Sequence, residues 1–351
     1  MKTVTIIIPA LHRPELTQRC IAFIQAQTLP RSNWEIVVVE NEARSESTLP
    51  DPLPENTTRI ELRTNEGTTG SINRAVAATS SKYLLLLNND IELQPDYLEL
   101  LVRTLDADPQ LGFAAGKLLR VTQRTHLDGA GDAMLIAGGA YRLGSGDEDR
   151  GQFDQPMAIL TGCGAAVLYR RETFDRCGGL DADFFAYLDD IDLGLRAQLV
   201  GYGGLYVPQA VAFHIGSATS GSVVHPRILE LVTRNQLWLL AKDYPPAIVE
   251  RYLSRIVLFQ ALWFGFVVGK PGGFGAYIRG IRAAVAKRSL MHKKRAELTQ
   301  KGVISDSAFE RLLVESERQV WAWHSSRPAK AQSALLKAYF RIFGAPKKLD
   351  N

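Results

Sequence analysis

Asp90 closes the stretch KYLLLLNNDIELQPD, residues 82–96, in which four leucines run directly into Asn88, Asn89 and Asp90. A carboxylate flanked by amides is a hard-oxygen donor set. It suits Mg²⁺ or Mn²⁺, ions that keep waters and substrate phosphates among their ligands. The same three residues would also make an ordinary strand-ending turn, because Asn and Asp favour turns. A second acidic cluster, Asp189, Asp190 and Asp192, follows the aromatic run FFAY. Carboxylates this close raise at least one pKa, which suits a general base. Asp189 or Asp190 could equally serve as a helix cap. His214 ends an apolar run, where a lone histidine is either structural or a ligand, and the other five histidines have no partner spacing. The chain contains no Gly-x-Ser-x-Gly, Walker-type or GxGxxG sequence, which argues against hydrolase, P-loop and dinucleotide-binding chemistry.

The elements around these residues explain their placement. TVTIIIPA reads as a buried strand ended by Pro9, and PELTQRCIAFIQAQT as a helix opened by Pro14, with Leu16, Cys20, Ile21, Phe23 and Ile24 at helical spacing. WEIVVVE is a second buried strand, RIELRT a short third, GSINRAVAAT a helix and YLLLL the next strand. Strand and helix alternating in this way predict a parallel sheet covered by helices. Ligands of such sheets bind beyond the carboxyl ends of the strands. The leucines are then sheet interior, and Asn88–Asp90 are delivered to the functional edge beside residues 9–13 and 40–41. Further on, GFAAGKLLR precedes a glycine-rich passage from Asp128 to Gly151. DDIDLGLRAQLVG predicts a helix with an acidic first turn, stopped by Gly201, and GGLYVPQAVAFH a strand ending at His214.

The chain has 351 residues, 46% hydrophobic and 22% charged, enough for one large domain plus a smaller region. A net charge of +4, from 41 basic and 37 acidic residues, does not point to nucleic acid. Three cysteines without CxxC spacing argue against a disulfide framework or structural zinc and favour a reducing cytosol. The N-terminal apolar run meets Pro9 too soon for a signal peptide. From about Tyr244 the character changes. Residues 256–269, IVLFQALWFGFVVG, are apolar but shorter than the roughly 20 residues a membrane span needs. Lys270, Arg279, Arg282, Lys287, Arg288, Lys293, Lys294 and Arg295 follow with no acidic residue between Lys270 and Arg295. That combination reads as an interfacial helix on an anionic leaflet, or else as a helical cap with solvated lysines. We divide the chain into a catalytic domain, 1–243, and a helical basic and apolar region, 244–351.

TIIIPALHRPE, IVVVENEARSES, NEGTTGSINRAV, LLLLNND and the long run from GCGAAVLYRRETFD to QAVAFH occur in one order. In that order they resemble the inverting glycosyltransferases of family 2, and within them the rhamnosyltransferase-like group, over roughly residues 3–240. Glu40 stands where that family usually has Asp, and only the last carboxylate of its metal motif is kept. The resemblance implies the GT-A fold, a Rossmann-like, mostly parallel α/β sheet flanked by helices, with a helical C-terminal region. It implies a nucleotide-sugar site at Pro9, Leu11, Arg13, Glu40, Asn65, Gly70, Asn73, Asn88, Asn89, Gly162 and Cys163. It implies Mg²⁺ or Mn²⁺ on Asp90 and His214, Asp190 as catalytic base and Asp189 toward the acceptor. The implied donor is dTDP-L-rhamnose, with a UDP-sugar such as UDP-galactofuranose as alternative. The implied acceptor is a polyprenyl-diphosphate-linked glycan, met by an enzyme peripheral on the inner face of the cytoplasmic membrane. A scaffold that binds nucleotide-sugar or glycan without turnover is the competing class.

Overall fold

The computed structural model describes residues 2–43, 49, 53–216 and 224–348. Its first part runs β1 (Val4–Ala10), α1 (Pro14–Gln25), β2 (Trp34–Glu40), β3 (Thr57–Glu61), α2 (Gly67–Ala77), β4 (Tyr83–Leu87), β5 (Ile91–Leu93), α3 (Tyr97–Ala107) and β6 (Leu111–Arg120). Side chains of β1 alternate between two cores, as a period of two requires. Val4, Ile6 and Ile8 pack with α1 and α3 through Ile21, Ile24, Leu98 and Leu101. Ile7 faces the opposite layer, with Ile72 and Val76 of α2. The strand does not end at Pro9. Ala10 turns its carbonyl to β2, accepting the Asn41 N–H at 2.8 Å, so the Pro9 nitrogen faces the other side. There, pairing with β4 has already stopped at Ile7, and the missing N–H costs no ladder bond.

The chain continues through β7 (Leu127–Gly129), β8 (Asp132–Met134), β9 (Ala140–Arg142), β10 (Met157–Ala158), β11 (Ala166–Arg170), α4 (Arg171–Cys177), α5 (Asp189–Leu199) and β12 (Gly203–His214). Among the described residues, ten strands form one sheet whose main path is β10-β12-β6-β11-β4-β1-β2-β3. The expected parallel sheet holds for β1, β2, β3 and β4. The sheet as a whole is mixed, because β11 runs against both its neighbours, β4 and β6. This reversal matters for the site. Ala166, the first residue of β11, pairs with Leu87, the last of β4, so the segment before β11 lies over the carboxyl end of β4.

β12 has two halves, separated by a register break between Val207 and Val211 opposite Gly116 and Lys117 of β6. Its second half is flanked by β5, which pairs Ile91 with His214. Gly116 is where the break is accommodated. A Cβ there would lie 2.1 Å from the Ala210 carbonyl and 2.5 Å from the Tyr97 ring, whose hydroxyl crosses to the Ala166 carbonyl at 2.8 Å.

Among the described residues, seven helices follow: α6 (Pro226–Lys242), α7 (Pro246–Arg251), α8 (Leu253–Val268), α9 (Gly273–Ala286), α10 (Arg288–Gln300), α11 (Asp306–Ser326) and α12 (Ala334–Phe343). They pack on the strands before them. Ser316 and Glu317 of α11 accept the Met134 and Ile136 N–H groups at 2.6 and 2.8 Å. Phe259, Val320 and Tyr339 share a core with Ala133, Leu135 and Leu143. The basic stretch is partly engaged. Lys287 pairs with Asp183, Lys294 with Asp181 and Asp183, and Arg279 with Glu230. Arg295 donates to the Tyr244 carbonyl. The reading of these lysines as a freely solvated row is therefore corrected: about half of the row ties helices down.

Replacing Gly116 with alanine pushes a methyl into backbone that cannot yield. Gly116→Ala is expected to lower the urea midpoint at constant m-value, a loss of roughly 2 kcal/mol, the scale of core overpacking.

Candidate active site

The antiparallel pairing of β5 with the end of β12 sets Asp90 beside His214. Asp90 Oδ1 lies 3.3 Å from His214 Nε2, and both side chains are about 8% exposed. On the other ring nitrogen, Nδ1 meets Asp128 Oδ2 at 2.8 Å. Burial disfavours the imidazolium, yet the hydrogen bonds and charges of Asp128 and Asp90 outweigh it, and the His214 pKa is pushed up to about 9. Among the described residues, no group of three or more His, Cys, Asp or Glu side chains is arranged to hold a metal ion alone. The two present do fit a divalent ion that takes its other ligands from water and phosphate. Donors on adjacent corners of an octahedral ion, with bonds of about 2.1 Å, stand about 3 Å apart. Asp128 also supplies the orienting carboxylate that ligating histidines ordinarily carry on their second nitrogen.

Arg142, from the glycine-rich passage, joins this end to the other. Its guanidinium donates to Asp128 at 2.9 Å and to Asp132 at 3.4 Å, and it lies within electrostatic reach of Asp190. Asp132 is buried, and burial pushes its carboxyl up to about 7 despite the Arg142 charge. Asp128, Asp132 and Arg142 were not legible as site residues. The available signal was the DGAGD run followed by a lone arginine at position 142.

Asp190 stands in the first turn of α5, half-buried. Two backbone donors fix its carboxylate: Gly164 N–H on Oδ2 at 3.0 Å and Ile191 N–H on Oδ1 at 2.9 Å. Thr161 holds the Asp190 carbonyl at 2.9 Å. The segment lying over the end of β4 therefore positions the acid of α5. A carboxylate with one donor on each oxygen keeps lone pairs free to accept a proton. Neither Asp189 nor Asp190 caps the helix: the cap position is Leu188, in the left-handed region at φ 59°, with no side-chain cap bond. Leu188, Tyr187 and Phe185 all have positive φ, as does Gly67, which packs against Phe185. A Cβ on Gly67 would fall 2.2 Å from the Phe185 carbonyl oxygen, so that position requires glycine twice over. Non-glycine residues held this way cost about 1–3 kcal/mol each and cluster at functional sites.

Residues 5–178 match the family model described as Glycosyl transferase family 2. This stretch is a family 2 glycosyltransferase domain. The chain is 28% identical over 257 residues to the O-antigen biosynthesis protein RfbC of Myxococcus xanthus, a match covering 69% of this chain and 19% of that protein. Over 156 residues it is 28% identical to an N-acetylglucosaminyl-diphospho-decaprenol L-rhamnosyltransferase of Mycobacterium tuberculosis, covering 40% of this chain and 48% of the relative. The chain thus spans less than half the length of either relative. Its fold resembles that of GalNAc-T7, solved with UDP, GalNAc and Mn²⁺. The TM-score is 0.61 at 14% identity, covering 93% of this chain and 58% of that one. The architecture is that of the GT-A glycosyltransferases.

Within the family 2 domain, the expected nucleotide-sugar residues fall into two groups. Pro9, Leu11 and Arg13 lie at the carboxyl end of β1, where Arg13 is left-handed at φ 72° and bonds Glu15 at 2.6 Å. Glu40 ends β2 with its carboxylate 3.5 Å from Arg59. Asn65 accepts from Asn41 and from the Gly67 N–H, both at 2.9 Å, so it fastens the end of β2 to the start of α2. Asn88 is half-buried beyond β4.

The other expected residues are held by contacts within the fold. Asn89 turns inward and donates to Thr17 of α1 at 3.1 Å. Asn73 pairs reciprocally with the backbone of Leu180 at 2.7 and 3.0 Å, which makes it a strut between α2 and the segment that follows α4. Gly70 and Gly162 are buried where a Cβ would strike Glu66 or Val167, so packing demands them. Cys163 is buried and its thiol is pushed well up by that burial. Gly164, one residue later, is the one that touches Asp190.

Asp189, expected toward the acceptor, is buried. Burial and the neighbouring charges of Asp190 and Asp192 push its carboxyl up to about 7. An unfolded aspartate titrates near 4. Between about pH 4 and 7 the folded protein therefore holds a proton that the unfolded chain releases, and stability falls as pH rises through that window. Asp189→Asn, which cannot titrate, is expected to gain roughly 2 kcal/mol on the wild type between pH 5 and pH 8. Urea unfolding at both pH values measures the difference.

Proposed function

We propose that this chain is an inverting glycosyltransferase that moves a sugar, L-rhamnose from dTDP-L-rhamnose, to a lipid-linked glycan acceptor in cell-surface polysaccharide assembly. The observation that carries the reading is the pairing, within a family 2 domain, of a two-ligand metal-fitting end with a clamped carboxylate. Asp90 and His214 form the first, Asp190 the second, and Arg142 lies between them. The activity for which the mycobacterial relative is named supports rhamnose and a polyprenyl-linked acceptor, and RfbC supports O-antigen chemistry.

The roles follow from the chemistry of the groups. Asp190 accepts the acceptor hydroxyl proton as that oxygen attacks the anomeric carbon. Its two backbone donors hold the accepting oxygens in place through the step. Attack opposite the leaving group inverts the centre in a single displacement. Asp90 and His214 would hold Mg²⁺ or Mn²⁺, which supplies positive charge against that gathering on the departing nucleoside diphosphate. Asp128 and Arg142 keep His214 aimed at Asp90.

Membrane association at the cytoplasmic face belongs to the same proposal. Among the described residues no helix is long and apolar enough to cross a membrane. Instead, Leu253, Val257 and Phe264 of α8 and Phe274, Ile278 and Val285 of α9 expose an apolar face. Val257, Phe274 and Val285 are 59, 61 and 65% exposed. Arg282 and Arg288 remain exposed near it. An apolar face edged by cations suits an anionic leaflet.

Two experiments test these readings. Purified protein given dTDP-L-rhamnose or UDP-galactofuranose, with and without Mn²⁺, is expected to turn over the rhamnose donor in a metal-dependent way. Asp190→Asn should lose at least about 10²-fold in that rate, the lower range for a general base. Turnover of the UDP-sugar alone would replace the donor, and binding without turnover even with a polyprenyl-linked acceptor would leave the scaffold. In the second, cosedimentation with phosphatidylglycerol vesicles should capture the wild type at low salt and lose most of Phe274→Glu/Ile278→Glu. A wild type that stays in the supernatant removes the membrane reading.

A further inference from the structure

The segment that delivers Asp189 and Asp190 to the site is bent in a way its own residues do not favour. Phe185, Tyr187 and Leu188 have φ of 68°, 67° and 59°. Phe185, with ψ −58°, is the centre of a γ-turn of the rare hand, the Ala186 N–H donating to the Phe184 carbonyl at 2.8 Å. No glycine or asparagine occurs in 184–188 to ease this. Such backbone persists only where the surroundings over-determine it.

The grip comes from α6. Asn235 is fully buried, and its amide nitrogen faces three carbonyls of the segment: Tyr187 at 2.6 Å, Ala186 at 3.1 Å and Phe184 at 3.3 Å. Arg234 adds donors to the Phe184 carbonyl at 2.7 Å and the Asp183 carbonyl at 3.2 Å. Its Nε donates to Asn235 Oδ1 at 2.8 Å, so the neighbouring side chains act as one clamp. The Trp238 ring, 4.2 Å from the guanidinium, keeps it in place. From the opposite side, α2 supplies the Thr69 N–H to the Phe185 carbonyl at 3.4 Å. An amide buried merely to fill space would leave costly unpaired polar atoms, whereas here each end of Asn235 is used.

We propose that Asn235 and Arg234 are positioning residues for transfer: by holding the carbonyls of residues 183–187 they set where Asp190 meets the acceptor. The proposal rests on Asp190 as the base. Released from the clamp, the segment relaxes toward ordinary backbone angles and carries the first turn of α5 with it. Asp90 and His214, on other elements, are unmoved. The loss therefore falls on kcat rather than on donor affinity.

The test compares Asn235→Ala and Arg234→Met with wild type and Asp190→Asn, by donor kinetics and by amide hydrogen exchange read by mass spectrometry. Arg234 is only half-buried, so its variant remains informative should Asn235→Ala fail to fold. The expected result is a fall in kcat of about 10²-fold, the scale of an ångström-level misplacement, with donor KM within about twofold of wild type. Exchange should rise in peptides spanning 184–192 while those of β1 and β4 keep their protection. Unchanged kcat in both variants overturns the proposal. So does faster exchange spread evenly over the chain, or a fall in kcat matched by the fraction of protein that has lost nucleotide binding. Should wild type and Asp190→Asn turn over donor equally, the base assignment fails by itself. The exchange pattern then still decides whether the clamp holds the segment.

Discussion

Like charge crowded at one edge of a sheet is the constraint on which the structure depends. Asp90, Asp128, Asp132, Asp189 and Asp190 are buried or half-buried around the ends of β4 and β12. Uncompensated, they would drive one another to the neutral form or drive the fold apart. His214 and Arg142 thread between them, and backbone N–H groups cover the Asp190 carboxylate. Where compensation is thinnest, at Asp132 and Asp189, the carboxyl titrates near neutrality instead. A concentration of negative charge that the protein cannot fully neutralise is a sound receptor for a divalent cation. The same arrangement would be a defect in a domain built for stability alone.

Behind the site, a second set of charges fastens α5 to the helices that follow. Asp192 lies under the first turn of α5 and meets both Arg196 and Lys242. Lys242 also reaches Asp181 at 2.8 Å, and Arg196 covers the carbonyls of Cys177 and Gly179. Buried pairs of this kind contribute little net stability against desolvation, but removing one partner leaves a charge stranded. Their effect is geometric. They lock the segment from Asp181 to Asp192 between α4, α6 and α10, and so join the helical region to the acid it helps to hold.

That coupling changes how the C-terminal half is understood. A row of lysines following an apolar run looks like a membrane signal, and α8 and α9 do expose apolar residues. Yet Lys287 and Lys294 are tethers to Asp183 and Asp181. A truncation near residue 245 would strip these tethers together with the apolar face, so point substitutions are needed to separate the two roles.

The local layers were written plainly along the chain. Alternating apolar runs dictated β1, β2, β4 and β12, helical periodicity dictated α1, α2 and α5, and the positions of Asp90, Asp190 and His214 at element ends followed from those spans. These are short-range facts: which face is apolar, and where a strand or helix must stop. What only the tertiary structure decided is partnership. Nothing near residue 90 announces that an antiparallel β5 will bring His214 to it, or that reversal of β11 will lay Gly164 over Asp190. Asn73 and Asn89, expected at the nucleotide-sugar site, bond carbonyl and hydroxyl groups that the sequence does not place near them. Asp128 and Asn235 matter through contacts with residues about 50 to 90 positions away. Spacing along a chain determines what a side chain can do, but the long-range pairing of strands and the burial of charge determine what it meets.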